Sequence, residues 1–337
     1  MATYGGRLAT ALHPLRTILP AAVVLGACEG PQSALSPAGR DAERIASLFW
    51  WMAGGAAVIW LGVMGLALYA IFAKKRTHDP RRTRLFIVGG GALVPTVVLT
   101  LLLTFGLSEM PGLLDQGESG GVRIRVSGEQ WWWRVFYELP DGTRFELANE
   151  IRLPVGRRVP IELDSPDVIH SLWVPSIGGK TDLIPGRTTR MALEATRTGV
   201  FRGVCAEYCG SSHAKMMLAA VVETPEAFEA WLRAQARPAS APANDAARRG
   251  QRLFAAHGCG ACHRVRGTEA DGAVGPDLTH VGSRHTIGAG ILGSSVADFE
   301  NWLTNTEALK PEVHMPAFDM LPKGDRRALA AYLEGLK

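Results

Sequence analysis

Two uncharged apolar stretches, roughly Leu48 to Ala73 and Leu85 to Leu107, constrain this 337-residue chain more than any other feature. At ~1.5 Å per helical residue, each is long enough to cross a ~30 Å hydrocarbon core. Buried helices of soluble proteins are seldom so long and so free of charge, so 45–110 is expected to form two transmembrane helices in contact with membrane lipids. Lys74, Lys75, Arg76, Arg81, Arg82 and Arg84 crowd the connection between them. Basic loops mark the cytoplasmic face, which puts both flanks, and the C-terminal two-thirds of the chain, on the outer side of a bacterial plasma membrane. No ionisable residue interrupts either span, which argues against a proton path through this chain. Composition agrees: 47% of residues are hydrophobic and only 20% charged. The net charge of +4, with six basic residues confined to one loop, is too mild for a nucleic-acid partner.

Ahead of the spans, residues 1–28 read as a signal peptide. Arg7 and Arg16 precede the apolar run Ile18 to Ala27, in the order an export signal uses. The run ends Leu25-Gly26-Ala27-Cys28, which resembles a bacterial lipobox, so Cys28 is a candidate lipidation site; a plain signal peptide with an incidental cysteine is the alternative. Beyond the spans, 120–224 changes to short alternating runs such as Val122 to Val126 and Val159 to Leu163, parted by turn residues, and is expected to form a β-sandwich or barrel. Residues 225–244 read as a short amphipathic helix followed by a flexible Pro- and Ala-containing linker. A second, mainly helical unit spans 245–337.

The five cysteines fall into three groups, Cys28, then Cys205 and Cys209, then Cys259 and Cys262. An odd count fits separate jobs better than a disulfide framework. Cys205, Cys209, His213 and Met216 lie within twelve positions of one loop and are soft ligands suited to copper. A single copper ion would need only one cysteine, so the second suggests a pair of ions bridged by both sulfurs. Each ion then needs a histidine: His213 supplies one, and His170 in Asp167-Val168-Ile169-His170-Ser171 is the candidate for the other. A Cys2His2 zinc site, a disulfide and two structural thiols compete, although zinc does not use a thioether and a disulfide explains neither histidine.

This ligand loop, the His170 segment and the two spans together resemble cytochrome c oxidase subunit II over roughly residues 45–235. Further matches are Glu129-Gln130-Trp131-Trp132-Trp133, Val174-Pro175-Ser176 and Lys180 to Arg187. The resemblance implies a cupredoxin-like barrel holding a binuclear CuA site. Cys205 and Cys209 would bridge the ions, His170 and His213 would be terminal ligands, Met216 a weak one, and the carbonyl of Glu207 would complete the set. The Glu207 carboxylate would also help bind magnesium at the contact with subunit I, and electrons would enter at Trp131. Two positions depart from the commonest pattern: Trp132 stands where a tyrosine often does, and Glu129 where a histidine often does. They put details of cytochrome docking in doubt.

Cys259-Gly-Ala-Cys262-His263 is a C-x-x-C-H motif, in which both thiols bond haem covalently and the histidine ligates iron. Gly275-Pro276-Asp277-Leu278 and His314-Met315-Pro316 follow in an order that resembles a class I cytochrome c from about residue 245 to the end. Met315 is the second axial candidate, with Met320 and His314 as alternatives, and the Pro276 carbonyl is expected to bind the proximal histidine. His257, His280 and His285 are given no role. The combined expectation is an electron-input subunit of a haem-copper oxidase. It would work with subunit I, with subunit III, and with an external cytochrome c or other donor. Oxygen chemistry would belong to another subunit, since this chain lacks a histidine-bearing bundle of membrane helices. A subunit of a nitric oxide reductase and a tethered copper-binding or redox-sensing module are the alternatives.

Overall fold

A computed structural model of the chain describes residues 29–72, 79–115, 117 and 121–337. Residues 1–28, where a signal peptide ending at Cys28 is expected, and Lys74, Lys75 and Arg76 of the basic connection lie outside the described residues. Among the described residues, two helices are long and apolar enough to cross a membrane: α1 (Arg40–Phe72) and α2 (Pro80–Leu114). Each reaches further than the apolar run that predicts it. At ~1.5 Å per residue α1 is about 50 Å long, so its ends project beyond a hydrocarbon core. The spare length is used at the N-terminal end, where Asp41, Ala42 and Ala46 are buried. Arg158 of the β-domain pairs with Asp41 at 3.1 Å, and Arg40 pairs with Glu194 at 2.6 Å.

α2 starts at Pro80 behind an Asp79 cap and widens by one π turn at Gly89–Leu93, just before Pro95. A proline ring crowds the carbonyl four residues back, and the wider turn relieves that crowding. Thr96, Thr100 and Thr104 each donate to the carbonyl four residues earlier, at 2.8 Å. Their hydroxyls are thus satisfied inside the helix, as a bilayer requires.

The β-domain holds ten strands in two sheets. The first is ordered β3-β2-β1-β5-β8 and the second β4-β10-β9-β6-β7. In the first, β1 is Arg123–Glu129, β2 Trp132–Glu138, β3 Arg144–Ala148, β5 Arg158–Asp164 and β8 Thr189–Glu194; in the second, β4 is Glu150–Pro154, β6 His170–Trp173, β7 Thr181–Leu183, β9 Gly199–Cys205 and β10 Met217–Glu223. This is the cupredoxin-like architecture expected from the alternating runs. Their inward residues, among them Ile124, Trp133, Tyr137, Ile161 and Leu172, fill the space between the sheets. Helix α3 (Pro225–Gln235) closes one end by laying Trp231 against Tyr137 and Phe145.

The C-terminal domain packs α4 (Asp245–Ala256), α5 (Val296–Leu309) and α6 (Lys323–Gly335) around a separate core. Phe254 of α4 meets Tyr332 of α6 edge-on at 5.6 Å. The linker differs from expectation, because its first residues are tied down. Arg237 O accepts from His280, Gln235 O from Arg266, and Ala239 N donates to Arg266 O. The C-terminal domain is therefore seated against the β-domain rather than trailing on a free tether.

Candidate metal and haem sites

The copper candidates converge although they come from different strands. β6 pairs with β9, so that Leu172 lies opposite Cys205. That register carries His170 to the end of β9, where the chain leaves the sheet and turns back through Cys209 to His213. His170, Cys205 and Cys209 present donor atoms within 4.8 Å of one another. The sulfurs of Cys205 and Cys209 stand 3.8 Å apart. Cys205 Sγ is 3.8 Å from His170 Nδ1 and 3.2 Å from Glu207 O. Cys209 Sγ is 3.5 Å from His213 Nδ1 and 4.0 Å from Met216 Sδ. All six predicted contributors thus ring one point, and Met216 is buried within it. Met217 turns away and meets Arg202.

Charge at this point is already arranged for a cation. Cys205 is held down to about 3, chiefly by hydrogen bonding from Cys209 and against the effect of burial, while Cys209 is pushed up by the same partner. A soft cation would take the place of thiol protons here. His170 is fully buried. Burial lowers its pKa, but hydrogen bonds to Asp167 and Cys205 outweigh that and raise it to about 8. Asp167 Oδ1 lies 2.9 Å from His170 Nε2. A carboxylate only accepts, so Nε2 carries a proton, and Nδ1, which faces the sulfurs, would offer its lone pair to a metal on losing its own. Gly128 makes room: a Cβ there would stand 2.9 Å from the imidazole ring. Sequence reasoning missed the role of Asp167, although it lies three positions before the ligand in a quoted motif; asking what fixes the tautomer would have found it.

Trp131 is buried at 4% exposure and its Nε1 donates to Cys209 O at 2.9 Å. It therefore touches the ligand loop but offers little surface to an outside protein. The Glu207 carboxylate is 46% exposed and 4.0 Å from Lys180 Nζ.

In the C-terminal domain, Cys259, Cys262 and His263 follow one another through a 3-10 turn. His263 Nδ1 lies 2.8 Å from Pro276 O. A carbonyl also only accepts, so Nε2 is left with the lone pair that an iron would need. A Cβ on Gly275 would stand 2.5 Å from the His263 ring, so only glycine lets this loop press on the imidazole. Of the second-ligand candidates, Met315 packs against the domain core, while Met320 is 72% exposed and His314 is exposed. The donor set fits a covalently held haem with histidine and thioether ligation.

Both lips of this cleft lie on the β-domain. On the histidine side, Ala273 O and Val274 O accept from Arg134 at 3.0 and 3.3 Å. On the methionine side, Leu309 O accepts from Lys215 at 2.6 Å and Pro311 O from Ser212 at 2.7 Å. Ser212 is the residue before His213. Between them, Lys310 is buried, with Nζ 3.3 Å from Gly288 O.

A helical hairpin able to span a membrane, soft donors gathered at the mouth of a β-domain and a C-x-x-C-H turn seated beside them define a membrane-anchored electron-transfer protein. Residues 137–224 match the family described as cytochrome c oxidase subunit II, periplasmic domain, and 247–337 match cytochrome c. The chain is 37% identical over 245 residues to cytochrome c oxidase subunit 2 of Alkalihalophilus pseudofirmus, covering 73% of this chain and 70% of the relative. It is 29% identical over 257 residues to the Bacillus subtilis protein of the same name, covering 73% and 71%. A solved structure of the periplasmic domain of subunit II of cytochrome oxidase from Bradyrhizobium japonicum aligns at 31% identity with a TM-score of 0.33, over 36% of this chain and 96% of that one. The chain belongs to the cytochrome c oxidase subunit 2 family, and so to the subunits of an oxidoreductase complex, with a cytochrome c domain fused at its C-terminus.

Proposed function

We propose that this chain is the electron-input subunit of a haem-copper cytochrome c oxidase in a bacterial plasma membrane, with both C-terminal domains on the outer side. Electrons from an external cytochrome c enter its C-terminal domain, pass to the copper site, and leave for subunit I, where oxygen is reduced to water with proton translocation; subunit III completes the assembly. The observation that carries this reading is the seat of the C-terminal domain, with both lips of its cleft on the hairpin and loop that bear Trp131 and the copper ligands.

Cys205, Cys209, His170, His213, Met216 and the Glu207 carbonyl would hold two copper ions, with the two cysteines shared between them. Cys259 and Cys262 would anchor haem c, with His263 and Met315 as its iron ligands. Bound there, copper and haem supply reversible one-electron chemistry that needs no rearrangement of bonds. The chain's own part is to hold the donors still and keep water out. Asp167 fixes one imidazole and Pro276 another, and burial of every sulfur at the copper site excludes solvent. Trp131 bonds the ligand loop through Cys209 O. The exposed Glu207 carboxylate, beside Lys180, would share magnesium with subunit I, and Cys28 would be lipidated.

The test is stopped-flow reduction of the copper site by one external donor in the intact complex. Wild type is compared with Met315→His and with a chain ending near Ala236. Both variants should be slower, since a second imidazole lowers the haem potential and the truncation removes the domain. Equal rates in all three would take the C-terminal domain off the main path.

A further inference from the structure

We propose that the turn between β1 and β2 is a docking socket for the chain's own C-terminal domain, anchored by Arg134, and that this socket closes the copper side to a soluble protein donor. The second half rests on the proposed order of electron flow; the first half does not.

Arg134 is 8% exposed, and every edge of its guanidinium is occupied. Nε donates to Glu129 at 2.6 Å and Nη1 to Glu146 at 2.8 Å, while Nη2 reaches the carbonyls of Ala273 and Val274. Its plane lies over Trp132, 4.5 Å from the ring centroid. Two carboxylates offset the cost of burying the cation, and the planar fork can serve the two carbonyls at once. Glu129 and Trp132 are also the two positions where this sequence departs from the commoner family pattern. Both departures touch Arg134, so the altered residues form the wall and floor of the socket.

The remaining contacts extend the same logic. Asp277 N donates to Glu146 at 3.4 Å, His285 N to Glu150 at 2.9 Å, and Met217 N to Ala289 O at 3.1 Å. With Ala273, Val274, Leu309 and Pro311, these bonds engage main-chain groups of the C-terminal domain on three separate loops. Main-chain recognition at three points depends on the pose of the whole domain rather than on any one of its side chains. It also suits a domain whose acidic and basic residues balance, because steering by net charge is then unavailable. In the assembled chain Trp131 is 4% exposed, and the ligand loop it bonds to is held through Ser212 and Lys215 by residues 309–311, so a soluble donor is offered little of either. In the step at issue one electron leaves the donor and reaches the copper site; no bond or proton moves.

The experiment uses the full complex and compares wild type, Arg134→Ala and Arg134→Lys. The amides of Asp277, His285 and Met217 bond across the interface and report docking by hydrogen exchange, independently of electron flow. Arg134→Ala should speed their exchange about tenfold or more, and Arg134→Lys less, since a single ammonium cannot hold two carboxylates and two carbonyls together. Amides between β5 and β8 should not change, which guards against general misfolding. Unchanged exchange at the interface in both variants would overturn the socket. For closure, Met315→His is combined with Arg134→Ala, and the copper site is reduced by an excess of soluble cytochrome c. Recovery of direct reduction, several-fold above Met315→His alone, is expected; faster exchange with no recovery would overturn the closure. A Met315→His variant that reduces copper at the wild-type rate would instead sink the proposed function, with the exchange result still standing.

Discussion

The copper loop and the haem turn are both built from cysteine and histidine, yet the chain prepares them in opposite ways. At the copper loop the donors are gathered by sheet pairing: His170 is fully buried, Cys205 and Cys209 are 6% and 3% exposed, and Asp167 sets the tautomer in advance. At the haem turn Cys262 is exposed and Cys259 half-buried, and Met315 lies on a loop more than fifty residues away. One site is a shape that a metal enters. The other is a set of attachments spread along a small domain, which a bound haem would draw together.

That contrast is broken most sharply by removing the attachments. Cys259→Ser with Cys262→Ser should cost the C-terminal domain most of its exchange protection, because three short helices bury little without a central group. The near-infrared band of the copper pair should persist. If α4 and α6 stayed fully protected without haem, the second half of the comparison would fail.

Next in size is Cys209→Ser, which should abolish the two-copper near-infrared and paramagnetic signals. The metal-free β-domain should lose only about 1–3 kcal/mol, the range for disturbing one buried polar contact. Met216→Leu should keep both ions and shift the potential, as loss of a weak ligand does. Retention of an unaltered copper spectrum by Cys209→Ser would refute the bridging assignment.

A smaller effect is expected at Asp167→Ala. Removing the partner of a ligating histidine weakens metal affinity by about 10–100-fold, so competition with a chelator should strip copper from this variant first. Equal resistance to the chelator would mean that packing against Trp133, at 6.2 Å between ring centroids, is enough to orient His170.

The smallest is a pH effect at Lys310. Burial, aided by Lys215 and opposed by Cys209, brings its pKa down to about 7. A released or unfolded chain keeps that proton to about 10.4. Between these values the open state binds more protons, so the docked state gains stability as pH rises through the window, by at most about 1.4 kcal/mol per pH unit. Interface exchange, corrected for its chemical rate, should slow accordingly from pH 7 to 9 in wild type, and Lys310→Met should flatten the trend. An equal slope in both would assign the effect to other groups.

Most of the candidate copper site was legible because five of its six donors lie on one loop and the sixth in a recognisable strand, so local spacing carried the information. The spans were legible because a bilayer demands length and lack of charge. The seat of the C-terminal domain was not. Pro238, Ala239 and their neighbours have the composition of a loose tether, and nothing local reveals that Arg266, from far along the chain, binds on both sides of them. Arg134 reads in sequence as an ordinary charged residue in a strand. Its role depends on carbonyls some 140 positions further on.

The cover over the ligand loop also imposes a timetable on the newly made protein. Ser212 and Lys215, on either side of His213, are bonded to residues 309–311, and the three sulfur donors of the loop are buried. On the proposed reading, a loop still free of those two bonds is the easier one to load, so copper is expected to enter before the C-terminal domain settles.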